Sequence, residues 1–228
     1  RLDAALRDTA ESVGGYVVYG ASLDKENADR VAALEAILGH LRGLDEGSGG
    51  GNAKPVVVAG LSYPLEVAQA LCLGADAVIW DAPERCAEAG IAMVFALSEE
   101  QEGKGGSPAA AAGGSRKRKR GAAKPGLIMD LRSEEFEKDT APILEGCACE
   151  ACQRHTRAYV HHLLKAKEML ATQLLRIHNT HHAYKLVEAA REAKGRGGLA
   201  RHVAWFEGAH AVDVEDVDAF DRQKRVKS

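Results

Sequence analysis

A chain of 228 residues with 46% apolar content can bury one good core, or one domain and an appendage. A net charge of −3 excludes a global polyelectrolyte attraction to nucleic acid, and no apolar run approaches bilayer-spanning length. Five cysteines, with Cys72 and Cys86 isolated, exclude a disulfide scaffold and point to a reducing compartment.

The first half alternates strand-like and helix-like segments. Gly15-Tyr-Val-Val-Tyr19 is a β-branched and aromatic run ending at Gly20. A helix is predicted from about Lys25 to Leu41, with Val31, Leu34, Ile37, Leu38 and Leu41 as its apolar positions. Glu46-Gly-Ser-Gly-Gly-Gly-Asn52 reads as a surface loop. Pro55-Val-Val-Val-Ala59 reads as a buried strand and Pro64 to Leu73 as a helix opened by proline. Ala77-Val-Ile-Trp80 reads as a second buried strand, and Ala92-Met-Val-Phe95 as another. Short apolar strands separated by helices predict parallel α/β architecture. These few units are too few to close an eight-stranded barrel.

Residues 97–125 break the pattern. They hold a Glu/Gly-rich stretch, an alanine run and the basic run Arg116-Lys-Arg-Lys-Arg120, none of which builds a core. The segment is expected to be a disordered insertion; a phosphate-contacting patch and a nuclear-import signal are the sharper readings of the basic run. Leu127-Ile-Met-Asp-Leu131 resumes the strand pattern.

Cys147-Ala-Cys149-Glu-Ala-Cys152 places three thiols within six residues of a polar loop. That spacing suits a structural metal far better than three ordinary core cysteines. One further ligand would complete a tetrahedron, and His155, His161, His162, His178, His181 and His182 all lie downstream. Past the loop, Tyr159, Leu163, Ala166, Leu170 and Leu174 recur at the steps of one amphipathic helix. Further helical turns are expected over 183–207, broken at Gly195-Arg-Gly-Gly198, before an acidic then basic tail.

The run from Cys147 through Thr156-Arg157-Ala158-Tyr159 and His161-His162-Leu163 to His178-Asn179 resembles the zinc-binding subdomain of tRNA-guanine transglycosylases. Weaker similarity extends upstream to about Gly14. The resemblance implies one structural Zn2+ held by Cys147, Cys149, Cys152 and His178, and selects His178 from the other histidines. It implies a (β/α)8 TIM-type barrel of which this chain is the C-terminal half, and the opening Arg1 reads as that of a fragment. The activity it implies is base exchange, in which guanine at the anticodon wobble position is replaced by queuine or a precursor.

The catalytic frame of that family resembles Gly-Val-Asp-Met-Phe-Asp-Cys-Val-Leu-Pro-Thr-Arg, whose second aspartate attacks the ribose. Gly74, Asp76, Pro83 and Arg85 hold the frame without a gap, and the nucleophile falls on Ile79. Isoleucine has no lone pair to offer an anomeric carbon, so covalent catalysis there is excluded. Asp81 lies two residues on, displaced by about 6–7 Å along a strand. Glu84 and Glu88 stand where the family carries a basic anticodon-contacting segment. The base-binding glycine loop is altered too, with Tyr19 replacing a glycine before Gly20 and Ser22.

The resemblance therefore points to the accessory, non-catalytic branch, with no catalytic residues of its own. Its implied partners are a catalytic subunit, as a heterodimer, and tRNA with a GUN anticodon; no membrane span is expected. The expected organisation is a partial barrel over 1–96, the insertion over 97–125, a barrel strand and connection over 126–146, the zinc-binding helical subdomain over 147–207 and a tail over 208–228. The expected location is cytoplasmic, with the cytosolic face of the mitochondrion as a second site. Two alternatives stand beside this reading. One is an active transglycosylase using Asp81; the other is a zinc-stabilised tRNA-binding module without base exchange.

Overall fold

The computed structural model describes residues 13–19, 27–46, 54–98 and 127–210. The basic run Arg116–Arg120, most of the expected insertion, the loop from Gly20 to Lys25 and the tail beyond 210 lie outside the described residues. The chain divides into two compact units, one ending at Asp81 and one beginning at Ala82. No described helix is long and apolar enough to cross a membrane.

The first unit holds β1 (Tyr16–Tyr19), α1 (Asn27–Glu46), β2 (Val56–Leu61), α2 (Pro64–Leu73) and β3 (Ala77–Trp80). The strands form one parallel sheet in the order β1-β2-β3, with Tyr19 paired to Ala59 and Ala59 to Ile79. Parallel neighbours need a crossover, and the strand–helix alternation supplies one each time. β1 and β2 lie so close at their entry that a Cβ on Gly15 would meet the Pro55 carbonyl oxygen at 2.8 Å. Helix α2 opens on Pro64, and its Glu66 carboxylate accepts the N–H groups of Ser62 and Tyr63 at 2.7 and 3.2 Å. Arg30 of α1 pairs with the same buried Glu66 at 3.1 Å, tying the two helices together. The helix stops at Gly74, whose φ of 105° closes the last turn.

Two expectations change here. α1 runs further than predicted and buries Leu34, Leu38 and Leu44, while Ile37 faces solvent. β3 is not a buried strand: Ile79 is 59% exposed, and Val17 and Tyr19 of β1, in register with its face, are 66% and 84% exposed. An apolar run identifies a strand but does not say how many of its faces are covered. Val56 and Val58 of β2 are sealed instead, with α2 packed on β2 and β3.

The second unit holds α3 (Ala82–Glu88), β4 (Ile91–Met93), β5 (Ile128–Asp130), a 3-10 turn at Glu134–Phe136, α4 (Glu150–Arg154), α5 (Arg157–Lys165), α6 (Met169–Gly195) and α7 (Leu199–Ala209). β4 and β5 pair antiparallel, against the all-parallel expectation. An antiparallel pair requires no crossover helix, and a local apolar pattern carries no strand direction. The predicted single helix through Tyr159 and Leu174 is two helices. Lys167 at φ 57° lets Glu168 N–H reach Leu163 C=O and its own N–H reach Leu164 C=O, a Schellman closure of α5. Tyr159 and Leu170 consequently face solvent while Leu163 and Leu174 enter the core. Phe136, Ile143, Val160, Leu175 and two of the clustered cysteines belong to that core.

Candidate metal centre

The cysteine loop is shaped by local chemistry before any ligand is considered. Gly146, at φ 76°, lets Cys147 N–H turn back onto Leu144 C=O at 3.2 Å. Cys149 then caps the short helix α4, its Sγ accepting the Cys152 N–H at 3.4 Å. Hydrogen bonds from Cys147 and Cys152, with that N–H beside them, pull the Cys149 thiol well below its ordinary range. Cys152 is pushed up by sharing those same protons with Cys147 and Cys149.

Arg157, beyond the loop in sequence, holds the segment that leads into it. It donates to Asp139 Oδ2 at 2.9 Å and through Nε and Nη2 to Ile143 C=O, both at 3.2 Å.

His178, from the middle of α6, completes the group. Its Nδ1 stands 3.8, 3.6 and 3.3 Å from the sulfurs of Cys147, Cys149 and Cys152. Its Nε2 lies 2.9 Å from Met93 C=O, which only accepts, so Nε2 carries the proton and directs the Nδ1 lone pair at the thiols. All four ligand atoms lie within 4.8 Å of one another. Tetrahedral zinc with ordinary S and N bond lengths has an S–N edge of about 3.6 Å. The observed distances bracket that value, so the donor set fits a small soft ion. Four protein ligands complete a tetrahedron and leave no position for water or substrate. Without an ion, burial opposes charge on His178, but hydrogen bonds that its charged ring donates to the sulfurs of Cys147 and Cys149 outweigh it and raise its pKa to about 9. A metal would take the place of that proton.

The remaining histidines stay outside the group. His155 stacks on Tyr159, His161 bonds the Leu131 carbonyl at 3.0 Å, and His162 is exposed. His182 donates to Phe95 C=O at 2.9 Å, and burial pushes its pKa down to about 3.

Two side chains to which the sequence pattern gives no role prove central to the surroundings of the site. One is Arg157. The other is Asn179, fully buried, whose Oδ1 accepts Met93 N–H at 2.9 Å and whose Nδ2 donates to Ile91 and Pro83 carbonyls. Both lie in the family-like run, Arg157 at a capped helix start and Asn179 beside His178, but nothing in that run says what either side chain holds.

The stretch from Gly74 to Arg85, which resembles the family's catalytic frame, lies within the described residues. Ile79 is an exposed hydrocarbon on β3, and Asp81 follows the strand's end. Asp76, which keeps the family's aspartate, serves the backbone, because its Oδ2 accepts Val56 N–H at 2.8 Å. Glu84 forms a two-pronged ion pair with Arg176 of α6. The carboxylate standing where the family carries a basic segment thus joins two helices of the second unit.

Comparison with known proteins agrees with this geometry. The family model for queuine tRNA-ribosyltransferase matches residues 3–211. A Xenopus tropicalis protein named queuine tRNA-ribosyltransferase accessory subunit 2 is 31% identical over 214 residues, covering 87% of this chain and 49% of its own length. The Drosophila persimilis protein of the same name is 32% identical over 199 residues, covering 86% of this chain and 41% of its own length. A Clostridium perfringens queuine tRNA-ribosyltransferase is 29% identical over 204 residues, covering 90% and 43%. The chain thus spans less than half the length of these relatives. It belongs to the queuine tRNA-ribosyltransferase family.

Proposed function

We propose that this chain is part of a non-catalytic accessory subunit of a tRNA-guanine transglycosylase, pairing with a catalytic subunit that exchanges guanine for queuine at the wobble position of GUN-anticodon tRNAs. The observation that carries this is Ile79. It occupies the nucleophile's place in an otherwise ungapped frame and presents only hydrocarbon to solvent. Relatives named accessory subunit 2 add support.

The centre of Cys147, Cys149, Cys152 and His178 then holds a structural Zn2+, whose chemistry there is to cross-link α4 to α6. The exposure of Val17, Tyr19 and Ile79 supports reading the first unit as part of a TIM-type barrel whose other strands belong to the rest of the full-length protein. The proposed organisation keeps a partial barrel, an insertion and a metal-stapled helical subdomain in that order. The partner's docking surface is proposed on the subdomain helices, where Tyr159, Met169, Leu170, Ile177 and Tyr184 are exposed. A cytoplasmic location goes with that activity.

The test is incorporation of labelled queuine into a GUN-anticodon tRNA by the full-length protein, with and without a catalytic subunit. Incorporation only by the pair is expected. Incorporation by this protein alone would favour a second reading, an active enzyme using Asp81, to which the clostridial similarity lends weight. Asp81→Asn would then abolish activity, whereas in the accessory reading it leaves the pair unaffected.

A further inference from the structure

Strand β4 has two edges, and they are satisfied by different means. Val94 N–H donates to Leu127 C=O at 3.0 Å and Leu131 N–H to Gly90 C=O at 3.1 Å, so the even-numbered residues face β5. The period-2 alternation of a strand turns the backbone of Ile91, Met93 and Phe95 the other way. No strand pairs with that side among the described residues. Side chains of α6 take its place. His178 donates to Met93 C=O, Asn179 accepts Met93 N–H and donates to Ile91 C=O, and His182 donates to Phe95 C=O, each at 2.9 Å.

The N–H and the C=O of Met93 are therefore both held by adjacent residues of α6, one of which belongs to the candidate metal centre. Both N–H donors of the Asn179 amide are used, because Nδ2 also donates to Pro83 C=O at 3.2 Å, and its oxygen accepts Met93 N–H. A side chain so constrained has one rotamer and one amide orientation. Through them it fixes the height and rotation of α6 against β4, and these decide where Nδ1 of His178 meets the three sulfurs.

We propose that Asn179 is a positioning residue of the metal centre: by clamping Met93 beside His178, it couples metal binding to the sealing of the free edge of β4. The inference rests on the reading of the four-residue centre as a metal site. Coupling of this kind is reciprocal. What Asn179 contributes to metal affinity, the metal returns as protection of the Met93 amide. Loss of the metal would loosen a row of backbone groups able to pair with another strand.

The test uses Co2+ as a spectroscopic probe and Zn2+ as its competitor, on the whole chain. Asn179→Asp keeps the shape and the acceptor but removes both donors. It should lower Co2+ affinity about 10–100-fold, the usual effect of removing a group that orients a ligand. Leu186→Ala opens a cavity one turn beyond His182 in the same helix and should leave Co2+ affinity unchanged. Equal affinities for parent and Asn179→Asp, or equal losses in the two variants, would overturn the proposal. A second measurement needs no variant. Amide exchange at Met93 in the parent should slow when Zn2+ is added, with Val58 of the first unit unaffected, and equal Met93 rates with and without Zn2+ would also overturn it. A parent chain that binds neither ion would instead sink the metal reading, a distinguishable result.

Discussion

Arg157 and Asp139 meet at 2.9 Å with only 5% and 10% of their side chains exposed, and the pair fastens the segment that delivers the first cysteine. The remaining guanidinium nitrogens are not idle, since two of them converge on Ile143 C=O. Asp139 Oδ1 in turn accepts Ala141 N–H at 2.9 Å. Removing one member of a buried pair leaves the other charged and unpaired, at a cost of about 3–5 kcal/mol. Arg157→Ala should therefore lower the urea midpoint of the metal-loaded protein by that amount times the inverse of its slope. Arg157→Lys should recover little, because an ammonium cannot span a carboxylate and a carbonyl as a planar fork does. A lysine variant as stable as the parent would show that charge alone matters here.

Metal removal should be visible in cysteine chemistry. Cys149 and Cys152 are buried at the foot of α4 and face His178, so in the loaded protein they should resist alkylation by iodoacetamide. Stripping the ion with a chelator should expose both to modification, read by mass spectrometry, and lower the thermal midpoint. Cys86, fully buried on α3 and outside the group, is the internal control and should stay protected. Labelling of Cys86 in step with Cys149 would indicate global unfolding instead of local opening.

Much of this site was legible because metal ligation needs particular atoms in particular places. The three thiols announce themselves by spacing, and His178 by its place in a family-like run. The grip on Met93 was not legible, because it joins residues 86 apart and a helix–strand contact leaves no periodic trace. The same limit explains the fold-level differences. Pro64 and Gly74 mark both ends of α2, so its bounds could be read directly. The end of α5 could not, because its left-handed residue is Lys167, where glycine is the usual sign. Burial of β3 and the direction of β5 depend on what packs beside them, which a local run of apolar residues does not record.

Acidification should destabilise the second unit through His182 in a definite window. Burial, and next the charge of His178 stacked 5.9 Å away, push its pKa to about 3, from 6.5 when unfolded. His181 adds a weaker push in the same direction, and Cys149 a weak opposing pull. Between those values the unfolded chain binds a proton that the folded chain refuses. The contribution of His182 to stability is therefore full above about pH 6.5 and declines as pH falls towards 3, by up to about 1.4 kcal/mol per pH unit. His182→Gln keeps a donor for Phe95 C=O but has no such proton. Its unfolding free energy should fall less steeply with pH than the parent's, by about one proton's slope. Parallel pH profiles would remove His182 from the account and leave protonation of the cysteine ligands as the cause.

Lys167 offers the reverse kind of test, a substitution expected to stabilise. Its φ of 57° is a left-handed conformation in which a side chain crowds the following carbonyl, and it is held there by the two hydrogen bonds that close α5. The side chain is exposed, so little packing is lost on truncation. Glycine adopts this conformation without the steric penalty but gives the unfolded chain more freedom, and the two effects oppose each other. The steric gain is the larger at a Schellman C′ position, so Lys167→Gly should raise stability by about 0.5–1 kcal/mol, seen as a higher thermal midpoint. Lys167→Val should do the opposite, since branching at Cβ worsens the crowding. If valine and glycine gave the same midpoint, the left-handed turn between α5 and α6 would not be what sets their angle. The docking surface proposed on those two helices would then lose its rigid corner.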